Sequence, residues 1–171
     1  AEDRLINTFT KGDQYNFQVL ALSDVEYVVA WNSYNQDGSS YGVYSQHFAS
    51  DGTKIGKEQR VNTYTKLSQQ DPKLLLLSGV GYVVVWNSYN QDGWGYGIYS
   101  QHFASNGTKI GEEQRVDTYT QIWQPDPELL ALGDKRYLVV WTANGLDGSG
   151  FGVYSQHFTF DGARRGEVER I

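Results

Sequence analysis

The feature that most constrains this chain is a repeat. "WNSYNQDG" stands at residues 31–38 and again at 86–93, and a diverged copy, "WTANGLDG", follows at 141–148. "YSQHF" recurs at 44–48, 99–103 and 154–158; "GTKIG" recurs at 52–56 and 107–111 and becomes "GARRG" at 162–166. The period is 55 residues, so three copies account for almost all of the 171 residues. Such a period means that each copy is one supersecondary unit burying its apolar face against the next. The chain therefore divides into repeat 1 (about 11–65), repeat 2 (about 66–120) and repeat 3 (about 121–171), together one all-β domain over 1–171. Gly166 to Ile171 fall in phase with Ala1 to Ile6, so residues 1–10 are expected to supply an extra fourth strand, with Asn7 at the Asn62 position.

Each repeat reads as four antiparallel strands joined by short turns. The first is apolar (Phe17–Leu22, Leu74–Leu77, Leu129–Leu132), and Asp71-Pro72 and Asp126-Pro127 precede it in the second and third repeats. The second is apolar on both faces (Tyr27–Trp31, Tyr82–Trp86, Tyr137–Trp141). The third alternates: in Val43–Phe48, Tyr44, Gln46 and Phe48 share one face and Val43, Ser45 and His47 the other. The fourth is charged ("GKEQRVNTYT" at 56–65, "GEEQRVDTYT" at 111–120). A strand apolar on both faces requires burial on both, whereas a charged strand suits an exposed edge. This falling gradient predicts β-propeller-type blades with strand one nearest the axis. Since propellers close with about 4–8 blades, a three-bladed chain predicts either a ring completed by dimerisation or an excerpt of a longer array. The alternative is a β-trefoil, which also has three four-stranded repeats.

Composition narrows the function. Aromatics make up 15% of the chain, with 19 glycines, which fits all-β structure. A net charge of −6 with scattered Lys and Arg argues against nucleic acid. No run of 18 apolar residues is present, so no membrane-crossing helix is expected. The absence of cysteine removes disulfides, thiolate metal sites and cysteine nucleophiles.

The stretch "GYVVVWNSYNQDGWGYGIYSQHFASNGTKIGEEQRVDTYT" (81–120) resembles the tandem repeats of large bacterial secreted, adhesin-like and haemolysin-like proteins, and the likeness extends over all three copies. The resemblance implies a secreted or cell-surface location, a propeller-like array and adhesion or ligand binding, with no catalytic residues to carry over. One departure is His47, His102 and His157, where the family pattern usually has Arg.

Three constellations compete for function. The three histidines are the only ones in the chain and share one repeat position. They read as packing residues, or as a three-imidazole metal site if the rings converge. The Asp-Gly turns carry aromatic and amide groups suited to sugars, which present an apolar face edged by hydroxyls. The third copy keeps Trp141, Asp147 and Gly148 but loses the counterparts of Asn32, Tyr34 and Gln36, which places Trp31, Trp86 and Trp141 in the core. The candidate ligand-binding residues are Tyr34, Asn35, Gln36, Asp37, Tyr89, Asn90, Gln91, Asp92, Trp94 and Asp147, with Trp123 a second unrepeated loop tryptophan. Calcium (Ca2+) fits "NQDG" only weakly, since the phrase offers one carboxylate and two amides. Ser45 and His47 lie two apart on one strand face with no acid beside them in sequence, so an enzyme is not expected. The resulting expectation is a non-enzymatic, secreted carbohydrate-binding protein of lectin or adhesin type, a homo-oligomer that meets cell-surface glycans by multivalency. The alternative is a structural or protein-interaction scaffold without a sugar site.

Overall fold

The computed structural model describes residues 3–118, 125–145 and 148–171. Each repeat forms one four-stranded antiparallel sheet with its strands in chain order. The first blade is β1 (Gln14–Ala21), β2 (Glu26–Tyr34), β3 (Tyr41–Ala49) and β4 (Lys54–Arg60). The second is β5 (Gln69–Leu77), β6 (Gly81–Tyr89), β7 (Tyr96–Ala104) and β8 (Lys109–Arg115). The third is β9 (Glu128–Leu132), β10 (Arg136–Asn144), β11 (Phe151–Thr159) and β12 (Arg164–Arg170). Three discrete sheets packed face to face are propeller-type blades, not the barrel and cap of a trefoil. They fill an arc and leave the ring open.

Turn chemistry sets the hairpins. Asn35 and Asn90 take the left-handed conformation (φ 57° and 58°) that opens the β2–β3 and β6–β7 turns. Between β3 and β4, Asp51 Oδ1 accepts from Thr53 N–H at 2.8 Å, and Asn106 and Thr108 repeat the arrangement at 3.0 Å. The invariant glutamine of "YSQHF" explains itself in the β3–β4 pairing, where a bulge breaks the register between Ser45 and His47. Gln46 Nε2 fills the break, donating to the carbonyls of His47 (3.0 Å) and Ile55 (2.9 Å). Gln101 and Gln156 do the same in the other blades.

Burial corrects one expectation. The middle strands β2, β3, β6 and β7 are the most buried, and the leucine-rich first strands are not. β5, which touches both β1 and β9, is half-buried to buried, while β1 and β9, each with one such neighbour, are largely exposed. The first strands do lie side by side, as strands around an axis must, but a strand there is covered only by its neighbours in the ring. Exposure of the charged β4, β8 and β12 agrees with the edge role expected of them.

The core lies between blades. Val28, Val43 and Val61 of the first repeat pack with Tyr82, Val84, Trp86, Tyr99 and Phe103 of the second. Val83, Ile98 and Val116 pack in the same way with Tyr137, Val139, Trp141 and Phe158. Trp31, Trp86 and Trp141 are all buried, as expected. Residues 3–10 form no strand, and Ile6 packs on the first blade against the Val29, Trp31, Tyr44 and Phe48 cluster.

Candidate functional site

One end of the arc gathers the chemistry. The β2–β3 turn meets the chain entering the next blade, where the Ser40 and Ser68 hydroxyls lie 3.1 Å apart and Leu67 N–H donates to Ser39 Oγ at 2.9 Å. The first strands begin at this same end, since Gln14 pairs with Ser33 and Tyr34 N–H donates to Asp13 O at 2.9 Å.

Just inside that end, β1 and β5 each carry a bulge, between Tyr15 and Gln18 and between Gln70 and Lys73. Asn16 and Asp71 sit in these bulges with φ of 51° and 60°. A bulge re-aims a side chain out of the pleat, and the left-handed backbone is one that Asn and Asp tolerate. Asp126 occupies the same position in the third repeat, two residues before the start of β9. Asn16, Asp71 and Asp126, with Gln18 and Lys73, line an axial cleft of about 260 Å³.

The cleft is organised by hydrogen bonds. Asp71 Oδ1 accepts from Asn16 Nδ2 at 2.7 Å and from Asn32 Nδ2 at 3.5 Å, while Asp71 N–H donates to Asn32 Oδ1 at 2.8 Å. Asn32 is buried, so a fixed amide on β2 orients the carboxylate of the neighbouring blade. Asn87 is its counterpart in the second blade and donates to Pro125 O at 2.6 Å. Lys73 Nζ lies 3.4 Å from Asp126 and 2.7 Å from Glu128, both exposed carboxylates. Partial burial draws the Lys73 ammonium down, but its hydrogen bond to Glu128 and the charges of Asp126 and Glu128 outweigh this and hold it above the ordinary lysine value. Tyr15 and Tyr96 are raised chiefly by burial, with the Asp71 charge adding to the effect, so both stay protonated beside the cleft.

The residues singled out in the sequence stand around this end. Tyr34 and Tyr89 are exposed and pack against Tyr41 and Tyr96 at 5.1 and 5.0 Å between ring centroids. Trp94 is 63% exposed. Gln36 and Gln91 donate to Glu58 and Glu113, each at 2.6 Å. Asp37 and Asp92 accept from Ser39 and Trp94 N–H, each at 3.1 Å, and Asp92 also pairs with Arg115 at 2.9 Å. Asn35 and Asn90 serve the turn backbone. Asp147 and Trp123 lie outside the described residues. The histidines occupy separate places: His47 bonds Tyr82 in the first blade-to-blade interface and His102 bonds Tyr137 in the second. No group of three or more His, Cys, Asp or Glu able to hold a metal ion occurs among the described residues.

Sequence reasoning passed over Asp71, Asp126, Lys73 and Glu128, noting Asp-Pro only as the pair that precedes the first strand. The available signal was charge at positions 71, 73, 126 and 128, in first strands that are otherwise apolar.

No family model and no curated protein matches the sequence. Solved structures do. A thermostable family-43 glycoside hydrolase is 11% identical with a TM-score of 0.62, over 97% of this chain and 56% of that one. An alpha-L-arabinofuranosidase from Lactobacillus brevis is 11% identical with a TM-score of 0.58, over 92% and 54%. An endo-arabinase from Bacteroides thetaiotaomicron is 12% identical with a TM-score of 0.54, over 90% and 60%. At these identities the likeness shows the fold, and the chain spans little more than half the length of each neighbour. It also corrects an expectation: the repeated loops suggested a non-enzymatic carbohydrate-binding protein, with a scaffold lacking a sugar site as the alternative, yet these solved chains of the same architecture are hydrolases.

Proposed function

We propose that the protein is carbohydrate-active and cleaves glycosidic bonds at the axial end of its blades, with Asp71 and Asp126 flanking the bond. The observation that carries this reading is their convergence, from two successive blades, on one cleft beside Lys73. Glycoside hydrolysis needs one carboxyl group to protonate the leaving oxygen and a second to activate water or to attack the sugar. Asp71, which lines the cleft, is oriented through Oδ1 by Asn16 and Asn32. Asp126 supplies the second carboxylate, and Lys73, which also pairs with Glu128, is its counter-ion. The exposed rings of Tyr34, Tyr89 and Trp94 border the same end and offer flat apolar surfaces on which a sugar chain stacks during approach. Blades that close the ring complete the wall of such a cleft. Two of the solved neighbours are an endo-arabinase and an arabinofuranosidase, so furanosides are the first substrates to try.

The test is reducing-sugar release from a polysaccharide panel that includes arabinan, with aryl furanosides alongside. Asp71→Asn and Asp126→Asn are each expected to lower kcat/KM by about 10²–10⁴-fold, the range for a lost acid or base, with unchanged circular dichroism. Activity that survives either substitution, or no hydrolysis of any glycan in the panel, overturns the reading.

A further inference from the structure

The two interfaces inside the chain are built from one pair of faces. The trailing face of a blade presents Val28, Val43 and Val61 in the first repeat and Val83, Ile98 and Val116 in the second, all 0% exposed. The leading face of the following blade presents the tyrosine, tryptophan and phenylalanine of its middle strands, Tyr82, Trp86 and Phe103 and then Tyr137, Trp141 and Phe158. A histidine crosses each time, with His47 Nε2 2.8 Å from the Tyr82 hydroxyl and His102 Nε2 3.2 Å from the Tyr137 hydroxyl. The tyrosine is in turn stacked on its own blade's phenylalanine, Tyr82 on Phe103 at 5.0 Å and Tyr137 on Phe158 at 5.2 Å.

The third blade carries the same trailing face, fully formed. Ile171 N–H donates to Val153 O at 2.9 Å, as Val61 does to Val43 and Val116 to Ile98. Yet Val153 and Ile171 are 43% and 74% exposed where their counterparts are buried. At the other end, the first blade carries the leading face, with Tyr27 stacked on Phe48 at 5.2 Å and no histidine opposite it in the chain. That face is partly covered by residues 4–7 and keeps an open apolar groove of about 430 Å³ lined by Leu5, Phe17, Val19, Val29 and Trp31. Val19 is 56% exposed, whereas its counterparts Leu74 and Leu129 pack into the internal interfaces.

We propose that these two faces mate between copies of this chain: the third blade of one copy seats on the first blade of a second, with His157 meeting Tyr27 of that copy. The occupant is identified by complementarity, since the unmatched histidine and the unmatched tyrosine are the next members of a series that the chain pairs twice internally. Asn7 supports the same assignment. Its Nδ2 donates to Phe9 O (2.6 Å) and Gln14 Oε1 (3.1 Å), as that of Asn62 does to Tyr64 O (2.7 Å) and Gln69 Oε1 (3.2 Å). Asn62 Oδ1 also accepts from Val43 N–H at 2.8 Å, and in the assembly Asn7 is placed to accept from Val153 N–H of the other copy. Ile6 now lies on the Trp31 face as Val61 lies on the Trp86 face, so Ile171 of the incoming blade replaces it and residues 3–6 lift away. Two such contacts close a ring of six blades; if the rotation does not close, the same contact grows a longer head-to-tail series.

The test is sedimentation equilibrium of the full chain from micromolar to millimolar concentration, against a chain mass of 19.3 kDa. A dimer or a larger series is expected. Val153→Arg and Val19→Arg each place a charge on one face at a position already exposed in the single chain, and each is expected to weaken self-association at least about 100-fold. Mixed together, the two variants retain one good face each and are expected to form a one-to-one pair, which only head-to-tail contact allows. A chain that stays monomeric throughout overturns the proposal. Association that survives Val153→Arg, or a mixture that stays monomeric, overturns it as well.

Discussion

Asp117 offers a substitution whose outcome the chain has already rehearsed. It is 0% exposed, and its Oδ1 accepts from Ile98 N–H at 2.8 Å while Arg115 donates to Oδ2 at 2.7 Å. In the first blade the same place is held by Asn62, whose Oδ1 accepts from Val43 N–H at the same 2.8 Å. The backbone therefore asks for an acceptor, not for a charge. Burial holds the Asp117 carboxyl above the ordinary range, and its bonds from Arg115 only partly offset this. Asp117→Ala strands a buried N–H and takes a carboxylate from Arg115, which keeps Asp92. The cost is about 2–4 kcal/mol, from about 1–3 for the unmade hydrogen bond and the rest from the weakened ion pair. Asp117→Asn keeps the acceptor and removes the desolvated charge, so it changes stability by no more than about 1 kcal/mol at neutral pH. The folded carboxyl binds its proton more tightly than the unfolded one, so its stabilising contribution is whole below the ordinary value of 3.8 and is lost as pH rises through the folded value. The Asn variant lacks this loss and gains on the wild type as pH rises across that window. Urea unfolding followed by tryptophan fluorescence, at neutral pH and at about pH 4, measures both effects. If Asn costs as much as Ala, the carboxylate itself is required and the reasoning fails.

Two further outcomes test the interfaces between blades. Tyr82→Phe removes the hydroxyl bonded to His47 but keeps the ring stacked on Phe103, so it costs about 1 kcal/mol in urea unfolding, against about 3–5 for Tyr82→Ala. His47 and His102 are held below the ordinary histidine value of 6.5, chiefly by burial. The folded state therefore resists protonation: their contribution is whole above that value and falls as pH drops below it, toward the lowered folded value. A pH series of urea midpoints shows this decline in the wild type and a shallower one in His102→Gln.

Much of the architecture is legible in the sequence because it rests on side-chain chemistry at a fixed period. The Asp-Gly and Asn-Gly turns, the doubly apolar middle strands and the charged outer strands each announce themselves, and all three sheets follow from them. The leucines of the first strands mislead, because apolar character records the burial a strand has in a ring, and β1 and β9 have only one neighbouring first strand here. The axial cleft stays hidden for a different reason. A bulge with positive φ at Asn16 and Asp71 is a backbone event, and Asp before Pro looks like punctuation until the strand is seen to turn its carboxylate inward.

Repetition and divergence separate scaffold from site in this chain, in the opposite sense to the one the repeated phrases invite. Residues identical in every blade do the same structural task three times: Gln46, Gln101 and Gln156 fill the strand-pairing break, and Tyr27, Tyr82 and Tyr137 stack on their phenylalanines. A single site on an axis has no use for three equal contributions, because each blade faces a different region of one asymmetric substrate. The axial positions depart from strict repetition: Asn16 stands where the other two blades have Asp71 and Asp126, and Gln18, Lys73 and Glu128 differ in charge. If the cleft is the working site, making the blades alike there destroys function while leaving the fold intact. Replacing Asp71 and Lys73 by the first blade's Asn and Gln abolishes turnover without lowering the urea midpoint, whereas an equal loss of stability would show that these residues belong to the scaffold after all.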